Sequence, residues 1–169
     1  IRPILRGRDI KRYAYEWAGL YLIATHNGYG YTSRIDIEDY PAIKKWLDEG
    51  GIAYNGKLYK GYPQLVARAD QGDTPYNLRN CAYMDDFSKP KIVYREIGTA
   101  MDACEVSAGW MINNKLFMIT GEHLAHIMHF LNSKLFNRII FQTANFGGGK
   151  GVDWLQEIRV PFPSECTIT

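Results

Sequence analysis

Residues 90–97 read PKIVYREI: a proline, a run of β-branched and aromatic residues, and a closing Arg-Glu pair. That composition predicts a strand over Pro90–Ile97. If the strand buries Ile92 and Tyr94, then Val93 and Arg95 face the other way. Two more strands are expected nearby, Ala103–Val106 and Lys115–Ile119, with Asn113-Asn114 as the turn before the second. The clearest helical pattern follows directly. Thr120 is expected to cap one helix over Gly121–Arg138, where Leu124, Ile127, Met128, Leu131 and Leu135 share a face. Glu122 near its start and Lys134 and Arg138 near its end suit the helix dipole.

Upstream of this block the pattern is more broken. Gly19–Thr25 (GLYLIAT) predicts a strand, and His26–Tyr31 (HNGYGY) a loop. Ile37–Gly50 predicts a helix with Pro41 in its first turn, Gly50-Gly51 at its stop, and Ile43, Trp46 and Leu47 on one face. Residues 51–63 are rich in Gly and Tyr and read as irregular or hairpin-like. Gln64–Asp70 is expected to form a short helix and Gln71–Tyr76 a turn. At the ends, Ile1–Tyr13 reads as an extended, basic leading segment. Asn145–Gly151 (NFGGGKG) reads as a mobile loop, and Asp153–Val160 as a short element stopped by Pro161-Phe162-Pro163.

Composition sets the limits. The chain has 169 residues with 46% hydrophobic, 14% aromatic and 22% charged side chains, which is ordinary globular material and not a disordered chain. That length suits a single domain. No apolar run approaches the ~20 residues of a membrane span, so no membrane partner is expected. The three cysteines, Cys81, Cys104 and Cys166, are far apart and form no CxxC pair. A disulfide framework or zinc site is not expected, and a reducing cytoplasm fits best. The formal charge is +2 overall, yet Ile1–Arg12 alone carries Arg2, Arg6, Arg8, Lys11 and Arg12 against Asp9. A basic end on a near-neutral body suggests contact with a polyanion or an acidic neighbouring domain, where a solvated surface strand is the plainer reading.

No catalytic set emerges. His123, His126 and His129 are three apart and spread over a helix flank, whereas metal sites favour an i, i+4 pair with a further ligand elsewhere. GGGKG at 147–151 lacks the leading Gly and the Ser or Thr of a phosphate loop. Asp85-Asp86 and Glu38-Asp39 are not followed by the acid-x-lysine order of a nuclease, and no Ser or Cys stands in a nucleophile turn. Arg95-Glu96 at a strand end is a better lead. Arg can grip guanine O6 and N7, and Glu can accept from cytosine N4, against the plainer alternative of an internal ion pair.

Several segments occur together in a familiar order: RPILRGRDIKRY, YPAIKKWL, LVARADQGDTPYNLR, KPKIVYREIG, then INNKLFMITG and LNSKL, closing at VPFP. The combination, from Arg2 to Pro163, resembles the TaqI-like C-terminal specificity domain of N6-adenine DNA methyltransferases and type IIG restriction–modification enzymes. The resemblance implies an α+β fold of small twisted mixed β-sheets packed with helices. It implies that residues 1–169 form one target-recognition domain of a longer enzyme, with 1–13 as the junction to an upstream methyltransferase domain. The NPPY-type catalytic motif and the S-adenosylmethionine site would lie in that upstream domain, so no catalytic residue and no cofactor is expected here. The partners implied are double-stranded DNA and the upstream domain; the parent would act with or without an endonuclease domain. Base contacts do not transfer residue by residue in such domains. On chemical grounds Arg6, Arg8 and Lys11 are candidates for phosphates or the junction. Arg34, Arg95, Asn114 and Lys115 are candidates for bases or phosphates, and Asn145, Phe146, Gly147, Gly148, Gly149 and Lys150 for a groove-entering loop. The alternative is a protein-interaction module of a DNA-modification or phage-defence complex without base readout of its own.

Overall fold

The computed structural model describes residues 1–51, 53, 54, 56–98, 100–143, 152 and 153. The chain divides into two compact units. One holds Ile1–Arg2 and Leu22–Asp86; the other holds Pro3–Tyr21 and the described residues from Phe87 on. Small sheets, with antiparallel pairs and a parallel pairing of Ile4-Leu5 with Met111-Ile112 among them, stand with four α-helices among the described residues, an α+β fold.

The second unit is built on the PKIVYREI stretch. The strand Lys91–Arg95 lies at the centre of a three-stranded antiparallel sheet, flanked by Leu116–Ile119 and Ala103–Val106. Met118 and Cys104 both pair with Val93, and Phe117 and Ala103 with Tyr94. Both faces of the central strand are covered, so Ile92 and Val93 are each fully buried. Ile92 packs with Met101, Ala103 and Leu131 beneath the helices, and Val93 packs with Leu5, Ile10, Cys104, Val106 and Leu116 on the other face. The leading segment is therefore not merely a solvated extension. It forms the strand Arg2–Leu5, whose Ile4 and Leu5 pair in parallel with Met111 and Ile112, and a hairpin of Ile10–Lys11 with Ala14–Tyr15. It contributes Leu5 and Ile10 to the core.

The expected helix over Gly121–Arg138 is two helices, Leu124–Leu131 and Lys134–Thr143. The break lies in Asn132-Ser133, within the LNSKL segment. Asn132 is fully buried, and its side chain completes the free edge of the Ala103–Val106 strand. Its Oδ1 accepts from the Ala103 amide at 2.9 Å, and its Nδ2 donates to the Ala103 carbonyl at 2.8 Å. Ser133 then caps the second helix, its Oγ accepting from the Phe136 amide at 3.0 Å. Satisfying a strand edge and a helix start outweighs continuing one helix across these two residues. The break takes Leu135 off the buried face, leaving it largely exposed, and Phe136 packs against the core in its place. Nor does Thr120 cap the first helix: His123 stands at that position, with a left-handed backbone and no side-chain capping bond.

The first unit has a much smaller apolar centre. Ile37, Leu47 and Leu65 are buried, with Ile23, Ile43 and Tyr76 against them. The predicted helix over Ile37–Gly50 forms as a short 3-10 turn, Ile37–Asp39, followed by the α-helix Pro41–Glu49. Trp46 is left on the outside of that helix, stacked on Tyr59. The chain then makes the hairpin Ala53–Tyr54 with Lys57–Leu58 and the short helix Tyr62–Val66, which begins two residues before the expected Gln64. Gly50 and Gly61 both have positive φ and pass so close that a Cβ on Gly50 would strike Gly61 backbone, and one on Gly61 the Asp48 carbonyl. Only glycine fits at either position.

Polar groups do the rest of the holding. Asn77, only 2% exposed, donates through Nδ2 to the carbonyls of Ile35 at 2.9 Å and His26 at 3.3 Å, and accepts from the Thr74 hydroxyl at 2.5 Å. Thr25 Oγ1 donates to the Tyr76 carbonyl at 2.6 Å, and the Tyr76 hydroxyl to Asp48 at 2.7 Å. The predicted strand over Gly19–Thr25 shrinks to Tyr21–Leu22. The backbone of Thr25 is taken up by this network instead, accepting from the Leu78 amide at 2.8 Å.

Candidate nucleic-acid interface

The basic residues near the start of the chain do not act alike. Asp9, only 3% exposed, binds Arg6 three times: it accepts from the Arg6 amide at 2.9 Å, from Nε at 3.1 Å and from Nη2 at 2.8 Å. Burial pushes the Asp9 carboxyl up. The Arg6 hydrogen bonds and the Arg6 and Arg8 charges outweigh that and hold it below the usual carboxylate range. Arg6 is thus a clamp on the 3-10 turn Gly7–Asp9. The turn leaves Arg8 exposed. Lys11, on the hairpin, pairs with Glu16 at 3.5 Å, and both are half exposed or more.

Arg8, Arg95 and Lys115 meet around one hollow of about 300 Å³, with Gly7, Glu96 and Ile97 completing the lining. The central strand ends at Arg95 and delivers it to this rim. The turn through Asn113 delivers Lys115: Asn113 Oδ1 accepts from the Lys115 amide at 3.2 Å, and the Glu96 amide donates to the Lys115 carbonyl at 3.0 Å. Asn114 is exposed in the same turn. Arg95 and Glu96 do not pair with each other. Arg95 Nη2 is bonded to Asp102, while Glu96 accepts from Lys115 Nζ at 2.9 Å. Arg95 Nε is buried with no hydrogen-bond partner among the described residues.

This arrangement holds three cations against two carboxylates, with the cations at different levels of commitment. Arg95 is fixed in place by Asp102 and is less than one-third exposed. Lys115 is 61% exposed, and its pair with Glu96 is a surface pair. Such pairs contribute about 0–1 kcal/mol, so Lys115 can leave Glu96 for a phosphate at little cost. Among the described residues Arg8 has no carboxylate within ion-pair distance. A rigid guanidinium with mobile cations beside it can place a polyanion and meet base edges with the anchored group.

The remaining candidates fall elsewhere. Arg34 belongs to the other unit, where it pairs with Asp73 at 3.6 Å. Asn145, Phe146, Gly147, Gly148, Gly149 and Lys150 lie outside the described residues. His123, His126 and His129 sit on or beside the Leu124–Leu131 helix; Tyr13 lies against His129 with ring centroids 5.4 Å apart. Among the described residues no group of three or more His, Cys, Asp or Glu is placed to hold a metal ion. No described helix is long and apolar enough to cross a membrane.

Sequence reasoning missed Gly7 and Ile97 as lining residues, although both adjoin residues it named. It also missed the role of Lys91 in KPKIV. That lysine is fully buried, and its Nζ donates to the carbonyls of Phe87 at 3.1 Å and Ser107 at 3.4 Å. A lysine between proline and a β-branched run gives no sign of burial from sequence alone. A family model described as TaqI-like C-terminal specificity domain matches residues 2–149. No curated protein matches the chain.

Proposed function

The chain belongs to the TaqI-like C-terminal specificity domain family, and from that footing we propose that it reads the target site for a restriction–modification adenine-N6 DNA methyltransferase. A role in DNA sequence recognition for restriction–modification follows from the family. The finer reading is that this chain positions a catalytic domain, with its S-adenosylmethionine, on the site. The adenine would then be flipped into that domain's pocket and not into this one.

The observation that carries the reading is the convergence of Arg8, Arg95 and Lys115 on one hollow beside Glu96. Lys115 and Arg8 take phosphates. Arg95, fixed by Asp102, presents its guanidinium to a base edge, where guanine is the natural partner. Glu96 accepts from a cytosine amino group once Lys115 is drawn to phosphate.

The test is titration of the chain with a randomised duplex library at low and moderate salt, followed by sequencing of what is retained. Enrichment of one short site, weakening as salt rises, is the expected result. Arg8→Ala and Lys115→Ala should weaken all sequences alike and lower the salt slope by about 1 each. Arg95→Ala should relax preference at one position. Absence of duplex binding even at low salt overturns the reading in favour of a protein-interaction module. The exposed rings of Trp17 and Tyr21, packed edge-on at 5.0 Å with Trp110 behind Trp17, would then be the surface to follow.

A further inference from the structure

The unit formed by Leu22–Asp86 carries a hollow of its own, of about 540 Å³, with Arg68, Asp70, Arg79, Asn80 and Tyr83 in its lining. Arg68 is fixed without an acid. Its Nη2 donates to the carbonyls of Pro75 at 2.9 Å and Asn77 at 3.0 Å. Among the described residues no carboxylate lies within ion-pair distance of it, and its Nε is buried with no hydrogen-bond partner. A guanidinium held by carbonyls keeps its full charge and lacks an anion.

Arg79 stands at the edge of the same hollow, paired with Asp70 at 2.9 Å. The two side chains are 72% and 74% exposed. A pair so open to water is weakly held, so Arg79 is free to exchange the carboxylate for another oxyanion. Asn80 spends its Oδ1 on Asn27 Nδ2 at 2.7 Å, which leaves its amide group as a donor. Tyr83 adds an aromatic ring more than half exposed. Two guanidiniums, an amide donor and a ring against one displaceable carboxylate make a receptor for a phosphoryl oxyanion.

We propose that this hollow seats a backbone phosphate of duplex DNA, so that the Leu22–Asp86 unit has a grip separate from the Arg8–Arg95–Lys115 hollow. This deepens the DNA-recognition reading and rests on it. Arg79 and Asp70 make the experiment clean, because a surface pair can be altered without disturbing the fold.

Fluorescence anisotropy of the whole chain with a random-sequence duplex, across a salt series, tests it. Arg79→Ala should weaken binding about 3- to 10-fold and lower the slope of log affinity against log salt by about 1. Asp70→Asn, which frees Arg79, should tighten binding a few-fold. A merely structural ion pair predicts no change from either substitution. If both leave binding unchanged while Arg8→Ala and Lys115→Ala weaken it, this inference falls and the DNA reading stands. If the unsubstituted chain does not bind duplex, both fall. If inorganic phosphate shifts the Arg79 and Asn80 amide resonances but Arg79→Ala leaves duplex binding intact, the hollow takes free phosphate and the proposal is overturned.

Discussion

Each unit is organised around a buried asparagine, and the two asparagines do different work. Asn132 is a polar inlay in a largely apolar sandwich: it finishes the edge of one strand, while Ile92, Val93, Leu5 and Leu131 supply most of the burial. Asn77 is a hub. Around it two carbonyl-bearing segments, Thr25-His26 and Ile35, are drawn together, and among the described residues the buried apolar cluster of this unit is Ile37, Leu47 and Leu65. One unit is held chiefly by area removed from water, the other largely by satisfied polar groups. Apolar burial is non-directional and tolerates sequence change, whereas hydrogen-bonded networks fail when one partner is lost.

The largest expected effect is on the apolar side. Ile92→Ala removes a fully buried side chain from the central strand and should destabilise that unit by about 3 kcal/mol. Urea unfolding followed by tryptophan fluorescence measures it. A loss under about 1 kcal/mol would mean that the sheet repacks and the contrast is overstated.

Next come the two asparagines. Asn77→Ala and Asn132→Ala each strand buried backbone groups, at about 2 kcal/mol apiece. The cysteines allow the units to be read separately. Burial lifts the Cys104 thiol to about 12, so it reacts only when its unit opens, while Cys81 in the other unit is partly exposed. In a Cys166→Ser background, Asn132→Ala should speed maleimide labelling of Cys104 and Asn77→Ala should leave it slow. Equal acceleration by both would show the units opening together.

The Gly50–Gly61 approach gives a sharper local test. Gly61→Ala forces a Cβ into the Asp48 carbonyl at a positive φ, and should cost about 1–3 kcal/mol in the first unit alone. Hydrogen exchange of the Gly51 amide, which donates to the Tyr59 carbonyl at 2.9 Å, reports it.

The smallest effect is acid-dependent. The folded Asp9 carboxyl lies below its ordinary 3.8, so the stability it supplies is complete above that value and is lost as pH falls through the folded value. Asp9→Asn should lower the urea midpoint at neutral pH, and the difference from the unsubstituted chain should shrink as the solution is acidified. A difference that stays constant down to low pH would assign the loss to packing instead of charge.

Local pattern was enough to place the strand expected over Pro90–Ile97, which forms as Lys91–Arg95, the strand Ala103–Val106, the turn at Asn113-Asn114, and the helix expected over Ile37–Gly50, which forms as Pro41–Glu49. In each, neighbouring residues carry both the propensity and the stop signal. It also named Arg8, Arg95 and Lys115, because exposed cations at turns and strand ends are visible as such. What sequence could not show was that these three, 87 and 20 positions apart, line one hollow. Nor could it show that Arg95 would choose Asp102 over Glu96, or that Lys91 would be buried. The split of the helix at Asn132-Ser133 was equally hidden: the apolar spacing runs straight through it, and only the open edge of the Ala103–Val106 strand makes a break the better solution. Periodicity records which face each residue prefers; which donor meets which acceptor is decided only when segments remote in the chain are brought into contact.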